Sequence, residues 1–301
     1  MIPARTGTYS IVARDPQSGQ LGAAVQSHWF AVGSIVTWAR PGVGAVATQS
    51  IAEAAYGPRM LDRLAGGDAP QPALDALTGE DPAARFRQVA AVDAQGRVAV
   101  HTGEGCIEHA GHLAGHGFSA QANMMASPEV WPAMAEAYEA TEGTLSRRLL
   151  AALRAAEGAG GDVRGRQSAA MVVVGSEGEP WRRQVDLRVE DDPEPLDELA
   201  RLLDLHDAYE LASEGDELIG QGRDEEAARC YRRAAELAPD NEELRFWAGL
   251  SQMKTGEREE GLAVVRSVIG ANDGWRQLLL RLDDEIAPGI DEVRRQLGLA
   301  P

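Results

Sequence analysis

Three histidines, His109, His112 and His116, crowd one short stretch of the chain. Their His-x-x-His-x-x-x-His spacing invites a zinc site. On a helix the three would share a face, but Gly111, Gly115 and Gly117 disfavour a helix there. No Glu stands where the H-E-x-x-H metalloprotease pattern requires one. Solvated or hydrogen-bonded loop histidines are the simpler expectation, so neither a metal nor a cofactor is expected. Metal-dependent hydrolysis through this loop is the weakest alternative. Cys106, close by, reads as a small buried thiol.

Other side chains suit recognition of a polar substrate. Arg14 and Arg166 carry the guanidinium fork that pairs with a carboxylate. Asn123, in the Gln121-x-Asn123 segment, offers an amide able to donate to an oxyanion. Ser27, His28 and Glu53 stand at or just beyond the ends of strand-like runs, where they can line a pocket. Plainer roles stay open for each: Arg14 with Asp15 can stabilise a turn, and His28 can simply be solvated. No Gly-x-Ser-x-Gly elbow and no dinucleotide fingerprint occurs. The one lysine of the chain is Lys254, which removes a P-loop or Schiff-base lysine from the first two hundred residues.

These groups must be held by ordinary globular elements. Strands are expected over 8–13, 21–27, 34–39, 43–49, 86–93, 97–102, 168–175 and 182–189, from β-branched runs punctuated by Gly, Pro and Asp. Their weak alternation suggests strands covered on both faces. Helices are expected near 55–65, 70–78, 128–141 and 144–158, with an irregular Gly/His-rich segment over 103–127. This order of strands, helices, strands, helices and strands favours an α+β layered domain over 1–190.

A charged, proline-bearing linker at 190–195 leads into a Leu-, Ala- and Glu-rich stretch over 196–301. Gly215 and Gly249 lie 34 residues apart, as do Gly222 and Gly256, and Glu225 and Glu259. That is the period of a tetratricopeptide helix-turn-helix. A unit over 208–241 has the expected small residues at Gly215, Ala227 and Ala234 and an aromatic plug at Tyr231. A second unit over 242–275 is weaker, with Gly261, Val265 and Val268 at the corresponding places. Helices near 274–285 and 288–298 would cover its open end.

The formal net charge is −18. Residues 1–189 hold 19 acids and 16 Arg (−3), and residues 190–301 hold 28 acids and 13 bases (−15). Nucleic acid and anionic membrane are disfavoured partners, whereas a basic protein suits the acidic helical part. No run of apolar residues is long enough to cross a membrane, and no secretion signal is visible. Cys106 and Cys230 read as free thiols, and a cytoplasmic location is expected. A homodimer is compatible with exposed strand edges.

The segments Thr8-Tyr-Ser-Ile-Val-Ala-Arg-Asp15, Leu21-Gly-Ala-Ala-Val-Gln-Ser27, Trp38-Ala-Arg-Pro-Gly-Val-Gly-Ala-Val-Ala-Thr-Gln49 and Tyr56-Gly-Pro58 occur in order. Val92-Asp-Ala-Gln-Gly-Arg97, Gly117-Phe-Ser-Ala-Gln-Ala-Asn-Met124 and Asp162 to Ala169 follow. Together they resemble the family called domain of unknown function 1028, over nearly all of residues 8–189. That family is similar to the N-terminal-nucleophile hydrolases. The resemblance implies a four-layer αββα sandwich, followed here by the tetratricopeptide-like all-α domain. It also implies hydrolysis of an amide or related carbon–nitrogen bond in a small molecule or short peptide. Thr8 matches the start of the family's first strand, so the resemblance makes its hydroxyl the nucleophile and its α-amine the base. Residues 1–7 precede it, and an amide nitrogen cannot serve as that base, so the mechanism requires their loss. The competing expectation is a non-catalytic scaffold whose acidic repeats recruit a partner.

Overall fold

The computed structural model describes residues 5–287 and 289–299. The chain forms two compact units divided between Arg201 and Leu202. In chain order the first contains β1 (Arg5–Thr6), β2 (Thr8–Arg14), β3 (Leu21–Ser27), β4 (Thr37–Arg40), β5 (Gly44–Ile51), α1 (Tyr56–Ala65) and α2 (Pro70–Glu80). It continues with β6 (Arg87–Asp93), β7 (Val98–Thr102), β8 (Gly111–Gly115), β9 (Phe118–Asn123), α3 (Val130–Ala140), α4 (Leu145–Gly158), β10 (Ser168–Val174) and β11 (Val185–Val189).

The strands make two antiparallel sheets. One has the order β1-β5-β6-β7, with β4 also paired to β5, and the other has the order β11-β10-β3-β2-β9-β8. Tight turns set the registers. Between β2 and β3, Asp15 accepts from Ser18 N at 2.8 Å, and Gly19 adopts φ +73°, a conformation that costs glycine least. Val12, Leu21, Ala23 and Val25 of one sheet meet Ala45, Ala47, Ala90 and Val92 of the other. Each fully buried Val or Leu contributes about 1.5–3 kcal/mol. Small alanines let the sheets approach.

Each sheet's other face is covered by helices. Tyr56, Met60, Leu61, Leu74 and Leu77 of α1 and α2 pack on Val46, Val89, Ala91 and Ala99. Over the second sheet, a Cβ at Gly22 would come within 2.9 Å of Leu149 on α4, so glycine there admits the helix. Tyr138 of α3 packs on Phe118 of β9 with ring centroids 4.7 Å apart and planes tilted by 44°. Every residue of β3, β6, β9 and β10 is buried.

The expected irregular segment over 103–127 is corrected by β8 and β9, the latter paired directly with β2. Phe118, Ala120 and Ala122 alternate with Ser119, Gln121 and Asn123 at strand period, and both sets are buried. The first of the paired strands expected from 34 starts instead at Thr37, after a 3₁₀ turn at Val32–Ser34.

Helix α5 (Pro195–Gly220) leads into the second unit, which continues with α6 (Asp224–Leu237), α7 (Glu242–Lys254), α8 (Arg258–Ala271), α9 (Asp273–Arg281) and α10 (Ile290–Gln296). Ala208, Ala212, Ala227, Tyr231 and Ala234 form the core of the first helical hairpin. A Cβ at Gly215 would lie 2.9 Å from the Tyr231 ring, which explains the small residue. In the next hairpin α7 and α8 cross backbone to backbone: a Cβ at Gly261 would lie 2.4 Å from the Gly249 carbonyl oxygen. Leu279, Leu282, Ile290 and Val293 cover Phe246, Val265 and Val268. Pro288, near the expected start of the last helix, lies outside the described residues. Among the described residues no helix is long and apolar enough to cross a membrane.

Candidate active site

The layer between the two sheets is apolar at one end and polar at the other. Strand alternation that points Val12 inward also points Ser10 and Thr8 inward, and register sets Thr8 opposite both Ser27 and Asn123. Across the layer Gln49 pairs with Gln88. All are buried, together with Gln121 and Ser119. Such groups are tolerated only when hydrogen-bonded, and these are. Ser10 Oγ donates to Gln49 Oε1 at 2.6 Å, and Gln121 Nε2 donates to Ser10 Oγ at 2.7 Å. Gln88 Oε1 accepts from Gln49 Nε2 at 2.7 Å and Asn123 Nδ2 at 3.1 Å. Gln88 Nε2 donates to Thr102 Oγ1 and Ala122 O, both at 2.9 Å, and to Gly111 O at 3.1 Å. The Thr8 carbonyl accepts from Gln49 Nε2 at 3.2 Å and Asn123 Nδ2 at 3.4 Å. Gln26, on the opposite face of β3 from Ser27, is equally buried, but its amide N and O find no partner among the described residues.

At the edge of this lattice sits the Gly7–Thr8 peptide bond. Thr8 Oγ1 donates to Ser27 Oγ at 3.0 Å, and Ser27 Oγ donates to the Gly7 carbonyl. Arg164 Nη2 donates to the same carbonyl at 3.0 Å. Arg164 is itself anchored by Asp162, through Nη2–Oδ2 at 2.8 Å, Nε–Oδ1 at 3.1 Å and its own N–H to Oδ1 at 2.9 Å. His28 N donates to the same carboxylate at 3.2 Å, and the Asp162 side chain is sealed from solvent. The residues that follow Gln49 and Asn123, Ser50 (φ +75°) and Met124 (φ +60°), are left-handed without being glycine. Such strain, of order 1–2 kcal/mol per residue, clusters at functional sites. β1, just upstream, pairs with β5 in the opposite sheet, Thr6 facing Ser50 and Arg5 facing Ile51.

The structure therefore brings Thr8 and Asn123 together and sets His28 and Arg166 close by in the chain. His28 Nδ1 meets Arg166 O at 3.3 Å, and both residues line a cleft of about 340 Å³ with Asp191 and Asp192. Arg166 is paired to Glu157 at 3.1 Å and to Glu194. Glu157 also accepts from the Tyr9 hydroxyl at 2.6 Å. Burial first, then the Glu157 carboxylate, hold the Tyr9 phenol far above its ordinary range. Arg14 is not part of this group. It ends β2, six residues from Thr8 and about 20 Å along the strand. Glu53 is also apart, in a cleft of about 320 Å³ with Tyr56, Arg59, Glu80 and Asp81 of α1, α2 and the residue after them.

Gln49, Gln88, Asp162 and Arg164 were not singled out by sequence; for the two glutamines the available signal was polar residues at alternate strand positions, and for Asp162 and Arg164, in the turn before β10, there was none. In the histidine loop, His112 meets Thr102 Oγ1 at 2.9 Å, and burial, then His101, lower its pKa. Among the described residues no three His, Cys, Asp or Glu side chains are grouped to hold a metal.

The chain thus joins a mixed α/β unit, with a polar site at one end of its inter-sheet layer, to an all-helical repeat unit. A family model described as "Family of unknown function (DUF1028)" matches residues 8–199, and a TPR repeat model matches residues 215–256. The protein belongs to this family of unknown function. A crystal structure of a Silicibacter pomeroyi protein of the same family is 36% identical, with a TM-score of 0.61, covering 65% of this chain and 84% of that one. Among curated proteins no match is found.

Proposed function

We propose that the first unit is an amide hydrolase of the N-terminal-nucleophile class, with the αββα layering of that class, in the state that precedes release of its nucleophile. The observation that carries this is the Gly7 carbonyl, gripped by Ser27 Oγ and Arg164 Nη2 beside the Thr8 hydroxyl. The chain of hydroxyls supports a balanced self-cleavage. Thr8 Oγ1 bonds to the Gly7 carbonyl carbon while its proton passes to Ser27, and the Ser27 proton passes to the Gly7 oxygen. Collapse breaks the Gly7–Thr8 C–N bond, and the nitrogen takes the proton back, leaving an ester and a free amine. Water then hydrolyses the ester, and Thr8 becomes the new terminus. Arg164 stabilises the negative charge that builds on the Gly7 oxygen before the Ser27 proton reaches it, and has no need to transfer a proton. In the mature site the Thr8 amine is the base and its hydroxyl the nucleophile, so no lysine is required. Asn123 and Gln49 fix the Thr8 carbonyl and so orient the residue, while His28 and Arg166 border the adjoining cleft as substrate contacts.

Intact mass of untagged protein and of Thr8→Ala tests the proposal. Loss of residues 1–7 from the wild type alone is the expected result, and retention in both overturns it. Residues 1–4 of that segment lie outside the described residues.

A second reading, a non-catalytic scaffold, is favoured by the complete burial of Thr8 and by the TPR match. TPR repeats generally mediate protein–protein contact, and the −15 charge of residues 190–301 suits a basic protein partner. It predicts an intact N-terminus and partner capture that survives Thr8→Ala.

A further inference from the structure

We infer that the mature site cleaves amides whose acyl residue is glycine, presented at the end of an extended peptide backbone. This inference rests on the hydrolase proposal and adds the substrate class to it. In that proposal the first amide Thr8 attacks is the chain's own, so the residue before Thr8 shows how an acyl group sits. Gly7 is wedged against the Asp162–Arg164 pair. A Cβ on it would lie 2.8 Å from Asp162 Oδ2, 2.9 Å from Arg164 Nη2 and 3.0 Å from Asp162 Oδ1.

Those atoms belong to side-chain ends, which ordinarily yield, but here they are tied. The buried carboxylate accepts from His28 N and from three N–H groups of Arg164. The guanidinium cannot retreat without releasing the Gly7 oxygen that it holds at 3.0 Å. A side chain on the acyl residue therefore displaces the group that stabilises the oxyanion, so the penalty falls on the transition state. One methylene is discriminated by about 10- to 200-fold in a hydrophobic pocket, and a methyl that displaces a tied ion pair should cost at least the lower end of that range.

The rest of the acyl side is read through its backbone. Arg5 and Thr6 run antiparallel to Ile51 and Ser50 as an added strand on β5. Once residues 1–7 depart, that edge presents the same ladder to an incoming peptide, a β-augmentation mode. Thr8 Oγ1 then bonds to the glycyl carbonyl carbon, and its proton passes through the Thr8 amine to the departing nitrogen. Water subsequently cleaves the ester to a glycyl carboxylate.

The test uses the full-length protein. Self-cleavage of Gly7→Ala, followed by intact mass, is expected to slow at least tenfold. The deciding measurement needs no variant: kcat/KM of self-cleaved wild type on acetylated alanyl-alanyl-glycyl and alanyl-alanyl-alanyl p-nitroanilides. A glycyl preference of tenfold or more is expected. A ratio near one, an alanyl preference, or no turnover of the glycyl amide overturns the inference. If the wild type itself retains residues 1–7, the hydrolase proposal falls first and takes this one with it, so the two failures are told apart.

Discussion

Two buried glutamines offer a matched test of how the polar end of the layer is held together. Gln88 and Gln26 are both fully buried, but Gln88 makes five hydrogen bonds and Gln26 none among the described residues. Methionine is close to glutamine in volume, so Gln→Met at either place removes polarity without opening a cavity. At Gln88 the substitution leaves Gln49 Nε2 with only its longer contacts to Thr8 O and Gln121 O, leaves Asn123 Nδ2 with only its contact to Thr8 O, and strips a donor from Gly111 O and Ala122 O. Thr102 keeps His112. With about 1 kcal/mol per net bond, and more for a group left unsatisfied, Gln88→Met should lose about 3–5 kcal/mol. Gln26→Met removes an unpaired buried amide, and should change stability by less than about 1 kcal/mol or raise it. Urea unfolding followed by tryptophan emission and circular dichroism measures both. Equal losses at the two sites would refute the reasoning, because they would mean that hydrogen-bond satisfaction is not what distinguishes them.

Four further outcomes are expected. Asp162→Asn weakens the anchor of Arg164, so self-cleavage should slow by about 10²–10³, as loss of an oxyanion donor does; intact-mass time courses at the wild-type rate would contradict this. Burial by itself would raise the Asp81 carboxyl, but Arg87 (Nε–Oδ2 2.8 Å), Ala83 N–H and the Tyr56 hydroxyl outweigh it and hold the pKa below its ordinary 3.8. That stabilisation is complete above the ordinary value and is lost as pH falls through the lower folded one. Asp81→Asn should therefore melt below wild type near neutral pH, with the gap closing in acid; a gap independent of pH would count against it. Gly261→Ala drives a methyl into the Gly249 carbonyl and should cost the helical unit about 1–3 kcal/mol. Gly270→Ala, with nothing within 4 Å, should gain about 1 kcal/mol in the same thermal melts.

The mixed α/β character of the first unit and the helical repeats of the second were legible because periodicity and turn residues carry them. The 34-residue spacing of Gly215 and Gly249 identified the repeat, and its residue pattern then placed Gly215 as the small residue and Tyr231 as the aromatic plug. β9 was hidden by its neighbours: glycines and histidines around it read as a loop, and its inward side chains are Ser, Gln and Asn rather than apolar. Sequence habits assign such residues to the surface. For the same reason Gln49 and Gln88 drew no attention, although they hold the two sheets together by hydrogen bonds. Residue type pairs Arg14 with Arg166 as carboxylate-binding candidates, whereas Arg14 stands at the far end of β2 from Thr8, separated by the strand's full length. Asp162 and Arg164 could not be tied to Gly7, since no local pattern records a contact across 157 positions.

That separation has a consequence for the order of events in synthesis. Gly7, Ser27 and Arg164 come from the residue just before β2, the end of β3 and the turn before β10. A nascent chain shorter than 164 residues contains the threonine and the serine but lacks the guanidinium. It also lacks β10, which flanks β3 in the finished sheet. On the hydrolase proposal, cleavage that depends on all three groups would thereby be deferred until the unit has closed. Each released N-terminus would then certify a correctly assembled copy, and a misfolded chain would keep its leading residues as a visible mark.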